Sequence, residues 1–184
     1  LRLKNLPNIQ VASHEPDLLA AAGRIDTAIQ RYYTIEETTP NNSALALKIG
    51  RLSVLRHSLP IADIEQKKLA QSDPLYGYHM LTAYIAAEKQ DKETALRELN
   101  NALAAAVPGD ESWPNPAEIH AILNDTPGVL EALDKAAARK EPTAAYVLAH
   151  PLFRYLANDP RFQELKTKLT AQQAEIRTAL AQVR

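Results

Sequence analysis

The sequence has no cysteine, only five glycines and no run of 18 or more apolar residues. The absence of cysteine excludes disulfide bonds and thiolate metal sites. Without a long apolar run, no segment is predicted to span a membrane. Runs of β-branched residues, which favour strands, are also missing, and many of the apolar residues are alanine and leucine, which favour helices. This composition predicts an all-α protein.

Charge is balanced, with 21 Lys and Arg against 22 Asp and Glu, and neither sign clusters along the chain. A surface that binds nucleic acid normally carries a basic stripe, because neutralising phosphates supplies much of its affinity. We therefore predict no nucleic-acid contact from this segment.

Proline marks the expected beginning of several helices. Several of the 12 prolines directly follow Asp, Asn or Thr, whose side chains can accept a hydrogen bond from the first helical turn. Proline at the first helical position loses no useful donor. The pairs that predict a helix start are Asp73-Pro74, Asn115-Pro116, Thr126-Pro127 and Asp159-Pro160.

Apolar residues recur at helical spacing between these marks. We divide the chain into an N-terminal helical segment (1–72), a pair of hairpins (73–140) and C-terminal capping helices (141–184), all in one continuous domain. The spacing predicts helices over residues 16–33, around 45–55, from Pro60, over 74–89, 91–106, 116–123, 127–139 and near 143–149, and from Pro160 almost to the end, after an extended first dozen residues.

An offset of 34 residues relates two of the predicted helices, and it aligns Leu96 with Leu130, Leu99 with Leu133, and Ala102 with Ala136. A period near 34 is typical of the tetratricopeptide repeat, whose helix pairs bury their apolar faces by stacking. Such matches also arise between any two amphipathic helices rich in alanine and leucine. The same offset applied toward the N-terminus aligns the apolar Leu99 with the charged Glu65, so the match fails there. The N-terminal third is therefore predicted to be strongly degenerate or not a repeat.

Residues 91–106 and 126–169 also carry a family resemblance. The segments His150-Pro151-Leu152-Phe153 and Asn158-Asp159-Pro160-Arg161-Phe162 resemble the end of tetratricopeptide regions in bacterial regulators. Those regions follow winged-helix, adenylate-cyclase or protein-kinase domains, although the helix after Pro160 is unusually long for them. The resemblance implies an α-α superhelix of degenerate helical hairpins with a C-terminal capping helix, and a role in protein binding or signal sensing.

Four bulky residues lie close together around the predicted turn before the last helix. A stack of repeats needs a terminal unit that covers the apolar face of its last member. We predict that this cover consists of Phe153, Leu156, Phe162 and Leu165.

Motifs for catalysis are missing. The five histidines stand far apart in sequence and form no zinc-binding motif, and there is neither a nucleophile elbow nor a glycine-rich phosphate loop. Carboxylate pairs such as Glu36-Glu37 and Asp110-Glu111 fall in turn-like segments, where carboxylates are usually solvated. We predict no catalytic residue, no metal site, no cofactor and no enzymatic activity. The alternative is an enzyme whose site is assembled from residues remote in sequence.

One face of the predicted helix 74–89 is the candidate binding surface. Met80, Tyr84 and Glu88 lie one turn apart, and in the tetratricopeptide register they face the concave groove. An adaptable apolar group, an aromatic ring with a hydroxyl, and a charge together suit a bound peptide. The alternative is that the tyrosines of this helix are half-buried between helices, because a helix that is apolar nearly all round is usually packed on both sides.

The leading functional hypothesis is a non-catalytic interaction or sensing module of a larger bacterial regulator. It would bind a protein, peptide or small ligand in a helical groove. The alternative is a structural or oligomerisation domain, since residues 170–183 continue an apolar stripe that could form a homodimer contact.

The resemblance favours the periplasm over the cytoplasm as the location of the protein. The start at Leu1 indicates a processed chain or an excised fragment.

Overall fold

The computed structural model describes residues 14–106, 114–141, 144, 148 and 150–182. Within these residues the chain forms helices and turns and no strand, so the predicted all-α class is confirmed. No described helix has the length and apolar character needed to cross a bilayer. The helices are α1 (His14–Ala21), α2 (Ile25–Thr38), α3 (Ser43–Leu55), α4 (Leu59–Ser72), α5 (Tyr76–Glu88), α6 (Lys92–Ala105), α7 (Pro114–Ile122), α8 (Thr126–Ala138), a 3₁₀ helix (Pro151–Leu156) and α9 (Pro160–Gln182).

The single helix predicted over residues 16–33 is wrong, because the chain turns at Gly23. This glycine adopts a φ of +78°, which ends α1 and allows α2 to begin two residues later. Glycine reaches this left-handed conformation at no steric cost. The extended segment predicted for the first dozen residues and most of the helix predicted near 143–149 lie outside the described residues.

Aspartates cap two of the four helices whose starts were predicted from proline. Asp125 and Asp159 accept hydrogen bonds from the backbone N–H groups of Gly128 and Phe162, at 3.4 and 2.8 Å. Asp73 accepts one from Gly77 at 2.9 Å, but α5 begins at Tyr76, two residues after the predicted Pro74, and its N-cap residue is Leu75. At α8 the cap therefore lies one residue before the predicted Thr126. The cap predicted at Asn115 is wrong, because α7 already begins at Pro114.

The first eight helices form four consecutive hairpins, which pair α1 with α2, α3 with α4, α5 with α6, and α7 with α8. The second helices of these hairpins begin at Ile25, Leu59, Lys92 and Thr126, which are 34, 33 and 34 residues apart. The helices of each hairpin pack on each other, and α5 also packs on both α3 and α7. The N-terminal third thus contains helical hairpins at the same period as the rest of the chain.

Small residues occupy several of the buried helix positions. A small side chain at a helix contact allows the two backbones to approach closely. In α3 this residue is Gly50, where a Cβ atom would lie 2.4 Å from Cδ2 of Leu81. The second helices of the hairpins carry completely buried residues at steps of 34, 33 and 34, namely Ala28, Ala62, Ala95 and Val129, and the first three of these are small.

The first helix of every hairpin ends in the same type of turn. One residue adopts a left-handed φ, and the residue after it donates its N–H to a carbonyl five positions earlier, as Asp91 does to Ala86 at 2.9 Å. This conformation costs an L-residue other than glycine roughly 1–2 kcal/mol. The left-handed residues are Gly23, His57, Gln90 and Asn124, so only the first turn uses glycine.

Replacing His57 with glycine is expected to stabilise the fold by about 0.5–1 kcal/mol, because the steric cost of its φ of +62° would disappear. The lost contact of the exposed imidazole with Glu88 contributes little to stability. Urea denaturation of the His57→Gly and His57→Ala variants would measure the effect. Equal stability of the two variants would contradict the assignment of backbone strain to this turn.

The predicted end cover is confirmed. Phe153, Leu156, Phe162 and Leu165 are all buried, and they pack with residues of α8 in one apolar cluster. The two phenylalanine rings stack with centroids 6.1 Å apart. Helix α9 packs along α8 and covers the last hairpin.

Candidate functional site

The three residues predicted to line a groove have different positions in the structure. Met80 and Tyr84 are completely buried, so the prediction that these two side chains line an open groove is wrong. Glu88, the last residue of α5, keeps 19% of its side chain exposed. Only Glu88 can therefore contact a ligand from solvent.

The burial of Met80 and Tyr84 follows from the position of α5 at the centre of the molecule. Helices α3, α4, α6 and α7 all pack against α5. A helix covered on every side buries residues of each face, which agrees with its apolar character nearly all round. The structure thus favours the alternative in which Tyr84 packs between helices.

Tyr84 belongs to a buried polar network that links three hairpins. The Arg51 guanidinium of α3 donates two hydrogen bonds to the Glu118 carboxylate of α7, at 2.7 and 2.9 Å. The Tyr84 hydroxyl of α5 donates to the same carboxylate at 2.6 Å. These residues are 33 and 34 positions apart, so they occupy the same place in successive hairpins.

The electrostatics of this network favour a structural role. Burial would lower the pKa of Arg51, but the nearby Glu118 carboxylate and Tyr84 outweigh that effect and raise it. Burial, together with the Glu118 charge, holds the pKa of Tyr84 well above its usual range. Near neutral pH Arg51 therefore stays charged and Tyr84 stays neutral, and neither group exchanges a proton as an acid–base catalyst would.

A cleft of about 440 Å³ lies at the ends of the first helices of the last three hairpins. The 3₁₀ helix forms its remaining wall. Its described lining residues are Leu55 and His57 at the end of α3, Glu88 and Gln90 at the end of α5, Ala121, Ile122 and Asn124 at the end of α7, and His150, Pro151, Leu152 and Tyr155 around the 3₁₀ helix.

The polar groups of the cleft come from different hairpins. Glu88 contacts Nδ1 of His57 through its Oε1 atom at 2.6 Å. The Gln90 side-chain nitrogen donates to the carbonyls of Ala87 and Ile122, at 3.1 and 3.2 Å. Gln90 thereby ties the third hairpin to the fourth.

His150 holds the beginning of the 3₁₀ helix. Its Nδ1 accepts a hydrogen bond from the backbone N–H of Leu152 at 3.2 Å, so a neutral ring carries its proton on Nε2. The Nε2 atom is buried and has no described partner. Burial lowers the pKa of His150, although the Glu118 carboxylate acts in the opposite direction. The ring therefore stays neutral at physiological pH.

A second cavity of about 240 Å³ lies near the second hairpin and is lined in part by Glu36 and Lys68. The Lys68 ammonium bonds to Glu36 at 2.8 Å and to the buried Glu65 at 3.0 Å. Burial raises the pKa of Glu65, against the lowering effect of Lys68. Because its charged groups already pair with one another, this cavity is a weaker candidate for ligand binding than the cleft.

The described residues contain no group of three or more His, Asp or Glu side chains placed to hold a metal ion. The network and the cleft were both missed from the sequence, because their members are far apart along the chain. One signal was present, since Arg51, Tyr84 and Glu118 repeat at the hairpin period.

No family model, curated protein or solved structure matches this chain. The resemblance to tetratricopeptide regions therefore rests on the quoted residues alone. It remains a proposal.

Proposed function

We propose that this chain is a tetratricopeptide-like, non-catalytic interaction module of a larger bacterial regulator, and that it binds a peptide segment of a partner protein in the cleft. The observation that carries the proposal is the repetition of the cleft-lining positions. Three successive hairpins contribute residues from the same part of the repeat to one continuous surface. The attached regulatory domains and the compartment are proposed from the resemblance alone.

Backbone conformation supports the choice of the cleft. The left-handed positions that line it are occupied by His57, Gln90 and Asn124, whereas the equivalent position outside it is Gly23. Strained residues concentrate at functional sites, where the side chain has a use that offsets its conformational cost. The non-glycine residues Asn41 and Lys140 also have positive φ values, at the ends of second helices. It is the contrast between equivalent turns at the ends of first helices that supports the cleft.

The chemistry of the cleft also suits a peptide. Leu55, Ile122 and Leu152 offer apolar contacts, while Gln90 and Asn124 offer amide groups for hydrogen bonds. Binding sites typically combine an apolar lining with a few polar groups that orient the ligand. Tyr155, which is 45% exposed at the cleft, provides an aromatic anchor of the kind that often dominates interface energies.

Tyr155→Ala is expected to weaken peptide binding about tenfold, since an aromatic anchor at an interface commonly contributes about 1–2 kcal/mol. Peptides would be selected from a displayed random heptapeptide library against the 184-residue chain. Isothermal titration calorimetry would then compare their affinities for the wild-type chain and the variant.

Leu75→Ala is the matched control, because Leu75 is a large apolar residue that is 63% exposed and is not among the residues that line the cleft. The control should bind like the wild type, and both variants should retain the helical circular-dichroism spectrum. Failure to select any peptide, or selected peptides that are insensitive to Tyr155→Ala, would overturn the proposed function.

No observation favours the oligomerisation alternative over this proposal. The first apolar residues of α9, Phe162, Leu165 and Leu169, are buried within the chain and cannot form a dimer contact in this arrangement. The side chains of Ile176, Leu180 and Val183 lie outside the described residues.

A further inference from the structure

The charge of the cleft restricts the ligand that it can accept. Glu88 is the only Asp, Glu, Lys or Arg among the described residues that line the cleft. An anionic ligand group would therefore meet a carboxylate and neither a lysine nor an arginine. A ligand with an ammonium or guanidinium group would instead gain a charge-assisted hydrogen bond, which is stronger than a neutral one.

The contact between His57 and Glu88 shows that this carboxylate is accessible from the open side. The imidazole reaches Glu88 at 2.6 Å while 80% of its own side chain remains exposed. An exposed side chain of this kind can be displaced at small cost. The second carboxylate oxygen of Glu88 has no partner among the described residues, so a ligand cation can bind with His57 still in place.

A second acceptor in the cleft, the Gln90 side-chain oxygen, is also suited to a ligand with hydrogen-bond donors. The Gln90 nitrogen already donates to the carbonyls of Ala87 and Ile122, which leaves its side-chain oxygen as an acceptor. Leu55 and Ile122 offer apolar surface for the methylene stem of a long basic side chain. Lysine and arginine combine such a stem with a charged end.

The length of the surface indicates an extended ligand. Packed helices lie roughly 8–10 Å apart, so the ends of three neighbouring first helices span roughly 16–20 Å. An extended chain advances about 3.3 Å per residue. A peptide of about five or six residues therefore covers the row of turns.

We infer that the cleft selects an extended peptide containing lysine or arginine, whose cationic group pairs with Glu88. This inference rests on the proposed function and specifies the partner of the same site. Glu88 acts as the residue that determines specificity, and the apolar wall of the cleft binds the stem of the basic side chain.

The test uses a positional-scanning library of hexapeptides with acetylated and amidated ends, so that only side chains carry charge. Fluorescence polarisation would measure binding to the wild-type chain, to Glu88→Gln and to Glu37→Gln. Glu37 is an exposed residue of α2 that is not among the residues that line the cleft, so its variant controls for the lost charge. Norleucine pools provide the uncharged counterpart of lysine.

At one position at least, lysine or arginine pools should bind the wild type roughly tenfold more tightly than norleucine pools. Glu88→Gln should abolish this preference, and Glu37→Gln should preserve it. The preference should also shrink as the salt concentration rises, because ions screen the charge pair.

Preference for Asp or Glu, or a basic preference that survives Glu88→Gln, would overturn the inference. Binding that depends on Tyr155 but shows no basic preference would also overturn it, and the proposed function would stand. Absence of binding by every pool would contradict both. Thermal melting would establish that Glu88→Gln is folded, so that loss of the preference can be assigned to the carboxylate.

Discussion

Replacing Glu118 with alanine should destabilise the fold by about 3–5 kcal/mol, because the substitution leaves a buried charge without its partner. The Glu118 side chain is 1% exposed, and that of Arg51 is 19% exposed. Arg51 cannot escape the penalty by losing its proton, because a guanidinium group stays protonated in proteins. The Tyr84 hydroxyl would lose its shortest hydrogen bond at the same time and would keep only the longer contacts to Asn115, at 3.3 and 3.4 Å. Urea denaturation monitored by circular dichroism would measure the loss.

Glu131→Ala is the matched control for this prediction. Glu131 also pairs with a basic residue, Lys135 at 2.8 Å, but its side chain is 70% exposed. Exposed ion pairs contribute little to stability, so Glu131→Ala should destabilise the fold far less than Glu118→Ala. Similar stabilities for the two variants would show that the network is not a structural link.

A double substitution separates the net contribution of the ion pair to stability from the destabilisation that follows when only one partner is removed. Replacing Arg51 and Glu118 together with methionine should cost less than the sum of the two single changes, because no unpaired charge remains buried. Additive losses would contradict the direct coupling that their two hydrogen bonds imply.

Phe162→Ala should destabilise the fold by about 3–5 kcal/mol, the usual range for removing a buried aromatic ring. The ring is 2% exposed, stacks on Phe153 and belongs to the apolar cluster between α8 and α9. Its loss would leave a cavity at the end of the last hairpin. Thermal or urea denaturation would measure the effect.

Tyr155→Ala controls for the loss of an aromatic residue from the same region. Tyr155 is 45% exposed, so its removal should destabilise the fold much less.

Deleting residues 172–184 should also destabilise the fold less than Phe162→Ala does. The side chain of Gln172 donates to the carbonyl of Ala137 at 3.0 Å, but the large apolar residues of the cover precede this segment. A harmless Phe162→Ala would mean that the terminal residues do not seal the core.

Helix positions were predictable because they depend on interactions between residues close in sequence. Apolar spacing and capping side chains act within one or two turns, so Asp159 and Pro160 were sufficient to predict the beginning of α9. The terminal cover was predictable for a related reason, since bulky residues gathered around one turn must be buried together. Gly23 shows the limit of this approach, because the apolar pattern continues across the turn that it forms.

A single fixed offset could not predict that the repeat continues through all four hairpins. The second and third hairpins are 33 rather than 34 residues apart, so the offset of 34 compared Leu99 with Glu65. At the observed step, Ala95 corresponds to Ala62, and both are completely buried. A difference of one residue rotates a helix by about 100° and therefore aligns different faces.

Only the tertiary structure decided which faces are accessible. Sequence spacing placed Met80, Tyr84 and Glu88 on one side of α5, but it contained no information about the helices that cover that side. The Arg51–Glu118 pair joins residues 67 positions apart, and the cleft combines the ends of α3, α5 and α7 with the 3₁₀ helix. Local sequence therefore determined the helices and their ends, whereas the buried network and the candidate binding surface arise from packing between hairpins, which depends on distant residues meeting in space.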